Sequence, residues 1–207
     1  MLIFDLDGTL IDSNGVWVEV DKTFLARRNA PYTKEYYEGV AHTILQNCAV
    51  FTKEYLGLEE SCEAIIAEWM ELAAGQYHKV PLKPGVRAYL EKCRRAGRRM
   101  AVFTACVPEH CQAAMEAHGL APYFEQVIYA QELGEDKRSP AIFRRVAAML
   151  GAEPRQCVLF DDSLTACKAA KAAGMTVVGV YDPFFHASKP DMRELCDQFI
   201  GSFEELL

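Results

Sequence analysis

The chain has 207 residues, 51% hydrophobic and 25% charged, enough for one good-sized domain or a domain with a smaller insert. A formal charge of -7 offers no basic face for nucleic acid, so a phosphorylated ligand would need cations gathered locally. No apolar run approaches the roughly eighteen residues that span a bilayer, and no signal peptide precedes the first strand, which argues for a cytoplasmic protein without a membrane partner. The eight cysteines form no CxxC pair and no repeated spacing. They read as reduced, packed thiols rather than a zinc site.

The first element is the apolar run Leu2-Ile3-Phe4, a buried strand that ends on Asp5 and Asp7. Residues 13 to about 80 then read as helical throughout. Val16, Val20 and Phe24 recur at four-residue spacing, as do Ile65 and Trp69, with breaks expected at Asn29-Ala30-Pro31 and Leu56-Gly57. The segment "VPLKPGV" closes this helical module as a stiff linker.

Beyond it the pattern alternates. A helix over 86–96 is followed by the strand "RRMAVFT", a helix over 108–118, the strand "QVIYA" and a helix over 140–150. The strand "CVLFDD", a helix over 163–173 and the strand "MTVVGVY" come next, and "DQFIGSFEELL" reads as a short strand and a closing helix. Glycines 97, 119, 151 and 174 stand just past the helices, where a left-handed stop is expected. Strands alternating with helices of this length imply right-handed crossovers and a parallel sheet. The expected fold is an open α/β sheet with a helical insert between its first and second strands.

Ligands of such sheets bind outside the carboxyl ends of the strands. Those ends carry Asp5 and Asp7, then Thr104 and Ala105, then Asp161-Asp162-Ser163, with Lys137 before the helix over 140–150. Four carboxylates together raise one another's pKa and are costly to bury without a cation. A divalent metal with oxygen ligands resolves the cost, and magnesium is the usual choice beside phosphate.

"DLDGTL", Thr104, Lys137 and "FDDS" resemble the four ordered motifs of the haloacid dehalogenase superfamily, in its phosphatase branch. The helical insert is similar to the cap of the phosphoglycolate-phosphatase and β-phosphoglucomutase subgroup, and the likeness covers essentially the whole chain. It implies a Rossmann-like, three-layer α/β/α core of 1–13 and 82–207, with a helical cap of 14–81. One motif departs from the family pattern: where Gly-Lys-Pro-x-Pro-Asp is usual, Asp136, Arg138 and Ala141 replace glycine, proline and aspartate around Lys137 and Pro140.

The resemblance implies that Asp5 attacks phosphorus and becomes an aspartyl phosphate. Asp7 would protonate the leaving alcohol and then activate the hydrolytic water. Gly8 allows a sharp turn, its amide sharing the phosphate with Thr104 and Ala105, while Thr9 offers a hydroxyl nearby. Lys137 would neutralise phosphoryl oxygens and orient Asp5. Mg2+ would be held by Asp5, the Asp7 backbone carbonyl, Asp162 and, directly or through a neighbour, Asp161. Ser163 or an aspartate can also cap the helix that follows.

Asp12 and Ser13 read as hinge or helix-cap residues. Trp17, His42 and Gln46 are candidates for substrate selection by a lid hinged near 11–15 and 80–83, and His186 follows a strand end. The expected activity is hydrolysis of a small phosphorylated metabolite. A sugar phosphomutase uses the same motifs, and an inactive binding module is the alternative from another class. Asp7 disfavours a dehalogenase, which has no need of that acid.

Overall fold

A computed structural model describes residues 1–40, 45–134 and 137–207. The chain divides into two compact units, Met1–Asn14 with His78–Leu207, and Gly15–Tyr77. Among the described residues no helix is long and apolar enough to cross a membrane.

The larger unit is built on six strands: β1 (Leu2–Phe4), β2 (Met100–Thr104), β3 (Gln126–Tyr129), β4 (Val158–Asp161), β5 (Thr176–Val180) and β6 (Gln198–Ile200). Their order is β3-β2-β1-β4-β5-β6, and every neighbouring pair is parallel. Strands covered on both faces read as unbroken apolar runs. That is why β2 is buried at all five positions.

The crossing helices are α5 (Val86–Arg95), α6 (Pro108–Ala117), α7 (Pro140–Met149), α8 (Leu164–Ala173) and α9 (Lys189–Leu195), numbered after four helices of the smaller unit. On one face Ile3, Phe103, Leu159 and Val177 share a core with Phe143 and Val146 of α7, Cys167 and Ala170 of α8, and Met192 of α9. On the other, Phe4 stacks on Phe160 at 4.6 Å and meets Tyr89 of α5 edge-on. Each such fully buried side chain contributes about 1.5–3 kcal/mol. The result is a three-layer α/β/α core.

The four glycines after α5, α6, α7 and α8 all take positive φ, as the stop pattern requires. Two elements differ from the expectation. Residues 183–195, to which the sequence pattern assigns no element, form a 3-10 segment (Pro183–Ser188) running into α9, and the closing helix is only a 3-10 turn, Phe203–Leu206. Pro183 and Pro190 sit at first-turn positions, where a missing N–H costs nothing, so prolines that look like breakers here start helices.

The smaller unit holds α1 (Asn14–Arg27), which starts in the core unit, with α2 (Lys34–Val40), α3 (Leu45–Leu56) and α4 (Cys62–Ala74). Val20, Phe24, Ala49, Ile65, Trp69 and Ala73 form its core, with Phe24 edge-on to Trp69 at 5.5 Å. Ser61 caps α4 by accepting from the Ala64 amide at 3.2 Å. Asp21 of α1 accepts a hydrogen bond from the Tyr36 hydroxyl, yet burial pushes its carboxyl up to about 7. The Trp17 indole donates to the Tyr77 hydroxyl at 3.0 Å, Gln46 is exposed, and His42 lies outside the described residues.

The segments leading out of and back into the core unit are tied to each other. The Asp12 amide donates to the Pro81 carbonyl at 2.9 Å, the Lys83 amide to the Leu10 carbonyl at 3.0 Å, and Ile11 bridges Leu82. Lys83, 8% exposed, also pairs with the buried Asp182 at 2.6 Å. Six of the eight cysteines are buried, in keeping with packing roles.

Candidate active site

The parallel register sets Phe4 beside Phe160, so Asp5 and Asp161 leave adjacent strands side by side, with the Asp5 amide bonded to the Phe160 carbonyl at 2.9 Å. After Asp5 the chain turns tightly: the amides of Leu10 and Ile11 both reach back to the Leu6 carbonyl, at 2.9 and 3.0 Å. Gly8 makes this turn at φ 73°, and a Cβ there would collide with the Asp162 carboxylate and the Asn14 amide. Only glycine fits, for reasons of both dihedral and space.

Asp5, Asp161 and Asp162 are 6%, 1% and 4% exposed. Each offers an oxygen within 4.8 Å of the others, the one such acidic grouping among the described residues. Lys137 joins two of them, donating to Asp5 Oδ1 at 2.8 Å and Asp161 Oδ2 at 2.5 Å, and also to the Phe103 carbonyl at 3.3 Å. Burial alone would lower the Lys137 pKa, but Asp161 and Asp5 reverse this and hold the ammonium above its usual range.

Two of the acids are shifted upward as well, here by burial itself. Burial raises Asp5 to about 7, with Asp161 and Asp7 adding to the rise and Lys137 opposing it. Burial also raises Asp162 well above the ordinary carboxylate range, followed by repulsion from Asp161 and Asp5.

Three carboxylates against one ammonium leave a formal charge of minus two in a buried space. A divalent cation matches that charge. Carboxylate oxygens are also the ligands that small hard divalent ions take. Such an ion would favour the ionised acids and reverse the upward shifts.

Some of the remaining expected residues lie near this cluster. Asp7 is partly exposed, and its Oδ1 accepts from Ser13 Oγ at 2.5 Å. Thr104 is fully buried at the end of β2, its Oγ1 accepting from the Cys106 amide at 2.9 Å, while Ala105 is exposed beside it. Asp161 Oδ1 takes the Ser163 amide at 2.9 Å, and Ser163 caps α8 by accepting from the Ala166 amide at 3.4 Å. The cap of α8 and the acidic cluster therefore share the fourth motif. Asp136 lies outside the described residues. His186 is exposed and bonds the Tyr181 hydroxyl at 3.0 Å, so nothing ties it to the acids.

Two residues do more than the sequence pattern suggests. Ser13, expected as a cap or hinge residue, holds Asp7. Asn14, for which the pattern implies no role, donates from Nδ2 to Asp162 Oδ2 at 2.8 Å, while Thr9 Oγ1 donates to the other oxygen at 3.3 Å. The signal available is the run of small polar residues "DSN" directly after the turn, where a helix start also explains them.

The chain is similar in sequence and fold to known proteins. The chain is 28% identical over 213 residues to phosphoglycolate phosphatase 1 of Pseudomonas aeruginosa, covering all of this chain and 78% of that one. It is also 28% identical to hexitol phosphatase B of Escherichia coli K12, over 99% of this chain and 92% of that one. In fold it resembles the crystal structure of a HAD hydrolase of family IA, variant 3, from Entamoeba histolytica, with a TM-score of 0.84 and 19% identity over 100% of this chain and 94% of the other. The family model described as haloacid dehalogenase-like hydrolase matches residues 2–180, and the chain belongs to that family.

Proposed function

We propose that this chain is a Mg2+-dependent phosphomonoester hydrolase acting on a small phosphorylated metabolite through an aspartyl phosphate on Asp5. The observation that carries this reading is the meeting of Asp5, Asp161 and Asp162 with Lys137 at the carboxyl ends of two adjacent parallel strands. The phosphatases to which the chain is similar support it.

Asp5 and Asp162, with Asp161, would hold the ion, together with the Asp7 backbone carbonyl. When bound, Mg2+ supplies a Lewis acid for a phosphoryl oxygen and offsets charge in the transition state. The chain's own groups do the rest. A carboxylate oxygen of Asp5 forms a bond to phosphorus as the ester oxygen leaves, and Asp7 gives that oxygen its proton. The alcohol departs, and Asp7, now ionised, takes a proton from water as the water oxygen attacks phosphorus. The Asp5–phosphorus bond breaks and phosphate is released, with Asp5 free again.

Ser13, bonded to Asp7 Oδ1, fixes the orientation of that acid through both steps. Lys137 keeps Asp5 aligned and balances phosphoryl charge. The Gly8 and Ala105 amides and the Thr104 hydroxyl are the proposed phosphate cradle. We assign the choice of substrate to the helical unit as a cap, and eight cysteines, six of them buried, suit a reducing, cytoplasmic setting.

The test is release of inorganic phosphate from p-nitrophenyl phosphate and a panel of phosphorylated metabolites, with Mg2+ and with EDTA. Asp5→Asn should abolish turnover while leaving the circular dichroism spectrum intact. Turnover in Asp5→Asn at the wild-type rate would overturn the assignment. Glucose 6-phosphate in place of free phosphate from β-glucose 1-phosphate, supplied with a trace of the bisphosphate, would make the enzyme a mutase instead.

A further inference from the structure

We propose that Asn14 is a positioning residue that presents Asp162 to the metal ion, with Thr9 as its partner; this rests on the metal-site reading above. The three acids are not held alike. Lys137 directs its ammonium to Asp5, Asp161 and the Phe103 carbonyl. Asp162 is held instead by neutral donors: the Asn14 amide at 2.8 Å on Oδ2 and the Thr9 hydroxyl at 3.3 Å on Oδ1.

The difference has a physical consequence. A second cation at this place would cancel part of the minus-two charge that a divalent ion answers. An amide and a hydroxyl orient the carboxylate and leave its charge intact. With one neutral donor on each oxygen, the plane of the carboxylate is fixed and each oxygen keeps a lone pair for the ion.

The backbone beneath is shaped for this pair. Gly8 passes so close that a Cβ would strike both the Asp162 carboxylate and the Asn14 amide. Thr9 is fully buried, and Asn14 is the first residue of α1, so its backbone is set by the helix start. Asn14 and Asp162 stand 148 positions apart in the sequence, so this hydrogen bond joins distant parts of the chain.

The probe is Mn2+ alone, its free concentration read by electron paramagnetic resonance with the full chain and no substrate. Asn14→Leu keeps the side-chain shape and removes the donor, and Thr9→Val does the same at the other oxygen. Asn14→Leu should weaken Mn2+ binding about 10–100-fold, as loss of an outer-shell partner of a metal ligand typically does. Thr9→Val should weaken it less, its bond being longer. The half-saturating Mg2+ for phosphatase activity should rise in parallel, a shift that a merely structural role would not produce.

Asp162→Asn is the control. If it loses Mn2+ while both Asn14→Leu and Thr9→Val bind as wild type, the positioning role is refuted and the metal site stands. If Asp162→Asn also binds as wild type, the metal-site reading itself falls, and this proposal with it. Should Asn14→Leu fail to fold, Thr9→Val decides between the same two outcomes.

Discussion

Replacing Lys137 with methionine keeps most of the side-chain volume and removes the ammonium that Asp5 and Asp161 share. At 2.8 and 2.5 Å from those two acids, and with an effective dielectric constant of about 20, each contact is worth about 6–7 kcal/mol of attraction. Most of that is offset by the cost of taking the charges out of water, and severing such a buried pair costs about 3–5 kcal/mol. For a chain of this size each kcal/mol moves the melting temperature by about 2–4 °C, so Lys137→Met should melt roughly 6–20 °C below wild type in EDTA. Thermal unfolding followed at 222 nm, at pH 8, measures it directly. Added Mg2+ should narrow the gap, because three unopposed carboxylates bind a divalent ion more tightly in the folded state. A Lys137→Met melting temperature within about 2 °C of wild type in EDTA would refute the picture of a charge-balanced buried cluster.

Two further outcomes are expected. Gly8→Ala must adopt φ near 73° and push Asp162 and Asn14 aside; strain of about 1–3 kcal/mol should lower the melting temperature and phosphate release together, and an active, stable variant would contradict the close approach. Asp21 is held at about 7 in the folded chain by burial, against about 3.9 when unfolded. Between those values the folded state keeps a proton that the unfolded chain has lost. Its contribution is therefore full below about pH 4 and declines as pH rises to about 7. Asp21→Asn, which can still accept from Tyr36, should gain melting temperature over wild type on going from pH 4 to pH 8. A constant difference across that range would place the Asp21 carboxyl in water.

Much of the α/β unit is legible in the sequence because its signals are local. Apolar runs ending on acids mark β1 and β4, and glycines mark the ends of α5 to α8. The meeting of Asp5 with Asp161 rests on the adjacency of β1 and β4, an order that the alternation of strand and helix does not itself fix. What stays hidden depends on pairing across the chain. Nothing near Asn14 announces Asp162, and Ser13 reaches Asp7 only because residues 6–11 fold back on themselves. The Thr104 hydroxyl, expected as a ligand group, also organises its own loop through Cys106. Helix α9 escapes notice because two prolines at helix starts look, in one dimension, like breakers.

The clasp formed by Leu10–Asp12 with Pro81–Lys83 means that the helical unit enters and leaves through a closed doorway. Since loop-closure entropy grows only slowly with length, and the doorway is latched by groups of the core itself, the core is little affected by how much chain hangs beyond it. Evolution could therefore exchange one insert for another without rebuilding the acids a few residues away, and a short glycine-rich bypass across Gly15–Tyr77 should leave a sheet unit that still folds.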